Sequence, residues 1–562
     1  MNFFKMLHLK HKPWFRRLLV TLAGKKEYKK YFRQSFQVQE TQERLLQAML
    51  TENKDTVFGR KHNFAAVRDY REYCRAVPVM TYEDHRPYIE KMCRGKSDIL
   101  FPGRPLIYNR TSGTTNKPKL IPISPAFFRR GTNRVNKLWL YAAMKDNPGI
   151  YNGKCLSYVA PAVEGYTEDG TPFGSVSGLG MKNIPAVLKD TYSAPYAVME
   201  IKNYERKFYA LMRFALAQNI TLIIALNPAT YLRFNQTIMN EYGDLLRDIR
   251  DGTMRADVSA LLPPDRREQV LARLKPDPAR AGALEKLRRL HGSKLRFRHY
   301  WPGLELVNIW KQGNFRQMLH KLDGFFPEKT VYRAFGYQAS EARCGIVLGN
   351  DWDYSALATH AFFFEFIEAD QKGKDNPATL RVDQLEKGKK YYLLLNNLSG
   401  LYRYDMNDLI EVCGFYNQVP LFRFLQKGEG ITNLTGEKLS EQQVIAAVAA
   451  GAHECGWEPV FYIMYCDYEK CNYEFFAEFS SSRAKGEKFI KTVDCKLKSY
   501  NMEWETKRGT GRLSMPRFRK LPSDSQLKLK QKLVEQGLAR DSQFKNLFLT
   551  GDKKIYTVLQ NL

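Results

Sequence analysis

The chain has 562 residues, a hydrophobic share of 44% and a negative mean hydropathy, which fit a globular protein and argue against a membrane-spanning one. It carries 88 Lys and Arg residues against 59 Asp and Glu residues, and the resulting net charge of +29 favours polyanions or an anionic surface as partners. The length exceeds what one hydrophobic core usually supports, so we expect at least two domains.

Residues 1–32 interleave apolar side chains with basic ones, for example Trp14 and Phe15 with Arg16 and Arg17. Such a segment either lies at a membrane interface or forms an amphipathic helix packed on the body of the protein. A secretory signal is not favoured, because the uninterrupted apolar stretch LLVTLAG is short and lacks a clear cleavage site. The first alternative predicts peripheral membrane contact through the basic N-terminus.

Helical periodicity alternates with short β-branched runs through the first three quarters of the chain. Residues 154–160 and 220–226 are predicted as buried strands, and residues 125–144 and 203–218 as amphipathic helices. This alternation predicts an α/β fold with a large layered domain. Residues 245–295 are charged and helical, with prolines as start signals, and are interpreted as a helical excursion from the sheet.

From residue 359 to residue 425, strands follow one another without intervening helices, which predicts an antiparallel or barrel-like β section. A polar, glycine-containing break then precedes a helix, two strands and a further helix, which together predict a compact α+β unit. We therefore predict a large domain over residues 1–427 and a smaller C-terminal domain over residues 428–562.

The nine cysteines are odd in number and form no C-x-x-C pair, so neither a disulfide framework nor a zinc knuckle is indicated. This usage suits a reducing cytoplasm. The basic residues are spread along the whole chain without a zinc-finger, RNA-recognition or basic-zipper pattern. Specific nucleic-acid binding is therefore not expected.

The stretch TSGTTNKPK, residues 111–119, places hydroxyl side chains around one glycine and adds two lysines. It is either a phosphate-binding loop or a polar turn between two strands, because both are built from these residue types. The P-loop spacing is absent. In the first alternative the phosphate contacts come from Thr111, Ser112, Gly113, Thr114, Thr115 and Lys119 or Lys117.

The stretch FGYQASEARCG, residues 335–345, presents an aromatic ring, a hydroxyl and a carboxylate in one short loop. Tyr337 suits adenine, Ser340 suits phosphate, and Glu341 suits Mg²⁺, which takes oxygen ligands together with substrate phosphates. The alternative is a strand-to-turn junction with a solvated glutamate.

The stretch GLYRYDMNDLIEV, residues 400–412, contains Asp408 after a strand rich in aromatic residues and arginine. A carboxylate can accept both hydroxyls of a ribose. The alternative is an ordinary aspartate of a β-hairpin.

The three stretches occur in the order phosphate loop, adenine loop and ribose acid, and in this order the chain resembles the adenylate-forming enzymes, whose signature is TSGTTGxPK. More closely, it resembles the auxin-responsive Gretchen Hagen family of acyl acid amido synthetases. The segments that carry this resemblance are 56–64, 77–92, 301–313, 362–368, 399–427 and 542–549.

The resemblance implies that Mg-ATP activates the carboxylate of an acyl acid as an acyl-adenylate, which an amine, usually an amino acid, then attacks with release of AMP. It implies these roles: phosphate contacts from Thr111, Ser112, Gly113, Thr114, Thr115 and Lys119, adenine contacts from Tyr337 and its neighbours, cofactor binding by Ser340, Mg²⁺ binding by Glu341, ribose binding by Asp408, an interdomain hinge at Lys427, and an α-phosphate contact from Lys545. Of these, Lys545, Thr114 and Ser112 would be catalytic.

Two departures leave other functions open. The loop begins with Thr111 where the plant family usually has serine, and TTNKPK is more similar to ordinary acyl ligases. An acyl-CoA ligase of the same superfamily is one alternative, and a catalytically silent basic scaffold or binding module is another.

Overall fold

The computed structural model describes residues 12–111, 119–311, 319–374, 377–428, 430–479, 485–535 and 547–562. These residues form two compact units, a larger one made mainly of residues before Lys427 and a smaller one made mainly of Lys427–Leu562. All nine cysteines lie in the described ranges and are free thiols. No helix among the described residues is long and apolar enough to cross a membrane.

Strands are numbered here in chain order. Those of the larger unit are β1 Ile107–Thr111, β2 Lys119–Ile123, β3 Lys154–Ser157, β4 Gly165–Tyr166, β5 Pro172–Gly174, β6 Ile220–Ile224, β7 Leu306–Asn308, β8 Val331–Arg333, β9 Gly345–Ile346, β10 Ser355–Leu357, β11 Phe363–Glu368, β12 Leu380–Arg381, β13 Lys390–Asn396, β14 Tyr404–Tyr416 and β15 Val419–Lys427. Its α-helices are Pro13–Gln34, Val38–Asn53, Val57–Lys61, Tyr70–Ala76, Tyr82–Cys93, Asn133–Asp146, Val176–Lys182, Ala186–Lys189, Tyr204–Leu216, Pro228–Asn240, Tyr242–Asp251, Ala256–Ser259, Arg267–Leu271, Pro278–His291 and Phe297–Tyr300.

A parallel four-stranded sheet, ordered β3-β6-β7-β8, forms the α/β part of the larger unit. The predicted strands are confirmed as β3 and β6, which start at the predicted residues and end three and two residues early. The predicted helices are confirmed as Tyr204–Leu216 and Asn133–Asp146, and the second of these begins eight residues later and ends two residues later than predicted. Helix Tyr204–Leu216 begins where the Asn203 side chain accepts a hydrogen bond from the backbone N–H of Arg206 at 3.0 Å. The predicted helical excursion is also confirmed, as the four short helices between Tyr242 and His291.

The predicted run of strands is confirmed as β11 to β15, which together with the earlier strands β9 and β10 form a seven-stranded sheet, ordered β12-β11-β13-β14-β15-β10-β9. Its described pairs are antiparallel, and within the described residues β12 and β9 are its two edges. A second mixed sheet, β2-β1-β5-β4, pairs β1 with β5 in parallel, with Tyr108 opposite Phe173. The α/β fold class with an added β section is thus confirmed.

The smaller unit has the predicted α+β character. Its strands are β16 Ile431–Thr432, β17 Leu439–Ser440, β18 Pro459–Asp467, β19 Asn472–Phe479, β20 Arg517–Lys520 and β21 Leu549–Thr550, and its α-helices are Glu441–Cys455, Gly486–Tyr500, Met502–Gly509, Ser525–Glu535 and Lys553–Gln560. The sheet has the order β20-β19-β18-β21. Val444, Phe475, Val493 and Trp504 are buried together in its core.

Residues 13–34 form one helix, called here the amino-terminal helix. It buries Phe15, Val20 and Tyr31, and the Tyr31 hydroxyl donates to the carbonyl of Leu357 at 3.1 Å. The predicted helix packed on the body is therefore present. Residues 1–11 lie outside the described residues.

His85 is fully buried as a neutral imidazole inside the larger unit. Its Nε2 accepts from the backbone N–H of Tyr402 at 3.2 Å, so Nδ1 carries the proton and donates to the carbonyl of Thr81 at 2.9 Å. Burial lowers the pKa of His85 from its usual 6.5 to about 4. Because protonation favours the unfolded chain, the stability that His85 contributes is complete above pH 6.5 and is lost as the pH falls towards 4.

We expect the free energy of unfolding to fall by about 2 kcal/mol between pH 6.5 and pH 5 through His85 alone, at about 1.4 kcal/mol per pH unit. Urea titrations of wild type and His85→Gln at several pH values measure this slope, and the variant should show the shallower one. His453→Gln, which changes an exposed histidine, is the control. Equal slopes for wild type and His85→Gln would contradict the prediction.

Candidate active site

The loop that follows β8 leaves the carboxyl end of the parallel sheet and turns back sharply. Gly336 has a φ of +112°, and a Cβ there would lie 2.4 Å from the carbonyl oxygen of Gly345, so a side chain does not fit. The backbone N–H of Gly345 donates to the carbonyl of Tyr337 at 2.9 Å. The indole N–H of Trp139 fixes the start of the loop by donating to Ala334 O at 2.9 Å. This turn places Ser340 and Glu341 at the tip.

Tyr337 is buried, with 3% of its surface exposed. Its hydroxyl donates to the carboxylate of Asp408, and its ring stacks on Phe424 at 5.5 Å between centroids, with planes inclined by 18°. Burial and the Asp408 charge hold the pKa of Tyr337 well above its usual value, so the hydroxyl keeps its proton. The role of Tyr337 in adenine binding stays a prediction, since Phe424 covers one face of the ring.

Strand β14 is bulged immediately before Asp408. Asp405 lies opposite Leu394 and Leu409 lies opposite Tyr392, so the residues between Asp405 and Leu409 face a single residue of β13. Asn407 accommodates the bulge with a left-handed φ of +51°, a conformation that asparagine tolerates. Asp408 is 2% exposed, so it is not a solvated hairpin aspartate.

Glu341 is also buried, so it is not the solvated side chain of a surface turn. The hydroxyl of Tyr404 donates to Glu341 Oε1 at 3.2 Å, and the Asn397 side chain donates to Glu341 O at 3.2 Å. Burial, followed by the Glu341 charge, holds the pKa of Tyr404 well above its usual value. Asn109, on β1, donates to the carbonyl of Ser340 at 2.8 Å.

Arg403 begins the same segment, and the structure gives it a positioning role that the sequence analysis missed. Its guanidinium donates to Glu365 at 2.9 Å, to the carbonyl of Val77 at 2.8 Å and to the Thr379 hydroxyl at 2.8 Å. Asn396 donates to the second oxygen of Glu365 at 3.0 Å. This network fixes the residue immediately before β14 and therefore the position from which Tyr404 and Asp408 extend.

The other predicted residues are placed in part. Thr111 is the last residue of β1, Lys119 is the first of β2 and is half-buried, and Lys427 ends β15, which also carries Phe424. The pairing of β1 with β5 places residues 173–174 opposite residues 108–109. Ser112, Gly113, Thr114, Thr115 and Lys545 lie outside the described residues, so their roles stay predictions.

The two buried carboxylates fit the oxygen chemistry of Mg-ATP. Among the described residues there is no group of three or more His, Cys, Asp or Glu side chains that could hold a metal ion alone. A magnesium site at Glu341 would therefore need oxygens from substrate phosphates, which is how Mg²⁺ is commonly bound with nucleotides. Asp408 is hydrogen-bonded to a different tyrosine, Tyr337, and a carboxylate is suited to accept hydroxyl groups.

The chain shares its fold with two solved ligases. It matches a solved 2-hydroxyisobutyryl-CoA ligase, in complex with 2-HIB-AMP and CoA, with a TM-score of 0.51 and 13% identity over 93% of this chain and 91% of that one. It matches GH3.15 acyl acid amido synthetase with a TM-score of 0.63 and 18% identity over 94% of both chains.

The chain belongs to the GH3 family. The family models for its N-terminal, central and C-terminal domains match residues 28–331, 355–427 and 442–554. Indole-3-acetic acid-amido synthetase GH3.17 of Arabidopsis thaliana is 25% identical, over 72% of this chain and 71% of its own. Indole-3-acetic acid-amido synthetase GH3.8 of Oryza sativa subsp. indica is 27% identical, over 73% and 70%. The resemblance predicted from the sequence is confirmed, and these relatives are ligases.

Proposed function

We propose that this protein is an ATP-dependent acyl acid amido synthetase. It would join an acyl acid to AMP with release of pyrophosphate, and then transfer the acyl group to an amine, most simply an amino acid, with release of AMP. One observation carries the proposal: two carboxylates, Glu341 and Asp408, are both buried, and each accepts a hydrogen bond from a tyrosine hydroxyl. Tyr337, in the loop of Glu341, donates to Asp408, and Tyr404, in the strand of Asp408, donates to Glu341. Membership of the GH3 family supports the same reaction.

In the first half-reaction the acid's carboxylate is already a nucleophile, so no general base is needed. Asp408 would accept the ribose hydroxyls and so fix the nucleotide, while Tyr337 keeps the Asp408 carboxylate oriented. Glu341, oriented by Tyr404, would hold Mg²⁺. A bound Mg²⁺ would neutralise charge on the phosphate oxygens. Catalysis at phosphorus then rests on positioning and charge stabilisation, as is general for this chemistry.

We also propose the domain roles given by the resemblance. Residues 1–427 would bind ATP and the acyl acid, and residues 428–562 would form a mobile domain that reorients between the half-reactions about a hinge at Lys427. Lys545 would contact the α-phosphate during adenylation, together with Ser112 and Thr114 of the loop, while Thr111, Gly113, Thr115 and Lys119 would complete the phosphate contacts. The nine free thiols suit a reducing compartment, so we propose a cytoplasmic location.

The test is acid-dependent exchange of labelled pyrophosphate into ATP with a panel of aromatic, fatty and hydroxy acids. Acids that give exchange are then incubated with amino acids or with coenzyme A, and the product is identified by mass spectrometry. An amide supports the proposal, and a thioester supports the acyl-CoA ligase that the ligase-like loop TTNKPK favours. Exchange with none of the acids would overturn adenylation and leave the scaffold alternative.

For the amino-terminal helix we propose an anionic membrane surface as a peripheral partner. Four large apolar side chains of this helix are exposed, namely Trp14, Leu18, Leu22 and Phe32, and so is Phe36, just beyond its end. Exposed Lys25 and Lys29 lie on the same face, at spacings of three and four residues from these positions. Apolar and basic side chains that share one face of a helix are typical of interfacial helices.

We expect the protein to sediment with vesicles that contain phosphatidylserine and not with pure phosphatidylcholine vesicles. Leu18→Glu/Leu22→Glu should weaken this binding by at least about tenfold, because it removes buried apolar area and adds negative charge. The matched control is Leu261→Glu/Leu290→Glu, at two exposed leucines elsewhere in the larger unit. Equal binding by both variants, or unchanged binding after removal of residues 1–20, would contradict the proposal.

A further inference from the structure

A cavity of about 320 Å³ opens in the larger unit near the amino ends of the parallel strands, whereas the candidate active site lies at their carboxyl ends. Its wall includes Lys154, Ser193, Arg213, Arg273 and Lys275. Lys154 is the first residue of β3, whereas Tyr337 follows the last residue of β8. Because the strands are parallel, Lys154 marks the amino ends of the strands and Tyr337 lies beyond their carboxyl ends. The cavity is therefore separate from the loop of Tyr337 and Glu341.

Positive charge dominates this cavity. Four of its lining side chains are cationic, and Asp277 is its one carboxylate. Asp277 is the N-cap of helix Pro278–His291, and its carboxylate accepts a hydrogen bond from the backbone N–H of Arg280 at 2.8 Å. The side chains of Arg273 and Lys275 are exposed and make no hydrogen bond or ion pair with any described residue. Their charges are thus available to a ligand.

The hydroxyl of Ser193 is a second and independent observation. Ser193 is 1% exposed, and within the part of the chain that the structure describes its Oγ has no hydrogen-bond partner. Its carbonyl, by contrast, accepts from the Gln218 side chain at 2.9 Å. A buried hydroxyl without a partner is costly to the fold, so a polar group beside it is favoured.

The end of helix Tyr204–Leu216 also lines the cavity, and its carbonyls would repel an anion if they were free. They are hydrogen-bonded: Phe214 O accepts from Gln218 at 2.7 Å, Leu216 O accepts from Arg280 at 2.7 Å, and Ala215 O accepts from the Trp301 indole at 3.3 Å. Arg213 donates to two backbone carbonyls, at 2.9 and 2.7 Å, and holds the wall in place. The remaining electrostatic field in the cavity is positive.

We propose that this cavity is a second ligand site, which binds a small polyanion carrying phosphate groups through Arg273, Lys275 and Lys154. The two exposed cations Arg273 and Lys275, with the half-buried Lys154, match a ligand with more than one anionic group. The Lys154 ammonium also donates to the carbonyl of Asp190, which holds it at the wall of the cavity. The volume suits a small molecule and not a protein segment. The inference does not depend on the proposed amide-forming reaction, because none of its residues takes part in that site.

The experiment is isothermal titration calorimetry, which measures the affinity of the full chain for pyrophosphate and, separately, for inositol trisphosphate. Arg273→Glu/Lys275→Glu should weaken binding at least tenfold, and the effect should shrink at high salt. The matched control is Arg250→Glu/Lys286→Glu, which makes the same charge change at two exposed residues of neighbouring helices. The control separates loss of the site from loss of overall charge.

A second variant, Ala217→Phe, fills the cavity without changing its charge and should also abolish binding. Preferential binding of pyrophosphate would assign a free phosphate metabolite, and preferential binding of inositol trisphosphate a lipid headgroup; both support the site. Equal affinity of the charge variant and its control would overturn it, because binding would then come from the ATP site or the general surface. If neither pyrophosphate nor inositol trisphosphate binds, the proposal is overturned as well.

Discussion

Glu341→Gln is expected to lower acid-dependent pyrophosphate exchange by about 10²–10³-fold, the loss typical of removing one group that stabilises transition-state charge. The substitution keeps the shape of the side chain and removes its charge. Tyr404 donates to Glu341 Oε1 and Asn397 donates to its carbonyl, so the loop keeps two of its anchors in the variant. The expected loss therefore reports the missing carboxylate and not a displaced loop.

Two further variants sharpen this test. Tyr404→Phe removes one donor to Glu341 but keeps the carboxylate, so we expect a smaller loss of about tenfold, equivalent to about 1.4 kcal/mol. Raising the Mg²⁺ concentration should partly restore exchange in Tyr404→Phe and not in Glu341→Gln. Glu328→Gln, at an exposed glutamate of the same unit, is the control. Wild-type exchange by Glu341→Gln would rule out its role in binding the metal.

Arg403→Met is expected to lower the free energy of unfolding of the larger unit by about 3–5 kcal/mol, the range measured when one partner of a buried ion pair is removed. The variant leaves the Glu365 carboxylate, which is 0% exposed, without its 2.9 Å partner. It also removes the donor to the buried carbonyl of Val77 and one donor to the half-buried Thr379 hydroxyl. The cost is that of stranding polar groups away from water.

Urea denaturation measures this loss, and a double variant identifies its cause. Arg403→Met/Glu365→Leu removes both charges, so it should be more stable than Arg403→Met alone. An exposed pair provides the comparison: Arg289→Met breaks its contact with Glu285 at the surface and should cost only about 0–1 kcal/mol. If Arg403→Met and Arg289→Met cost the same, the buried network does not hold the start of β14.

The sequence predicted the three loops because their chemistry depends on residue type and order. Residue type and order single out Tyr337, Glu341 and Asp408 as candidates, and the alternation of helix and strand predicts the fold class. Their partners were missed because they depend on distant contacts: Tyr337 and Asp408 are 71 residues apart, and Arg403 and Glu365 are 38 apart. No local pattern reports which arginine of an aromatic strand turns inward.

The burial of the two carboxylates was equally inaccessible to sequence. A glutamate in a polar turn and an aspartate near a hairpin are usually solvated, whereas the fold buries both Glu341 and Asp408. Ser112, Thr114 and Lys545 lie outside the described residues, so their predicted roles rest on family resemblance alone.

Because of the bulge at Asn407, the stretch YRYDMND determines the path of the backbone as well as supplying functional side chains. Side chains alternate between the faces of a strand, so deleting one residue between Tyr404 and Asp408 would turn the aspartate towards the opposite face while leaving every functional residue in the sequence. A glycine should replace Asn407 at little cost, whereas a valine should not, because the left-handed conformation excludes β-branched residues. Transplanting this site to another scaffold therefore requires its irregular hydrogen-bond register as much as its carboxylates.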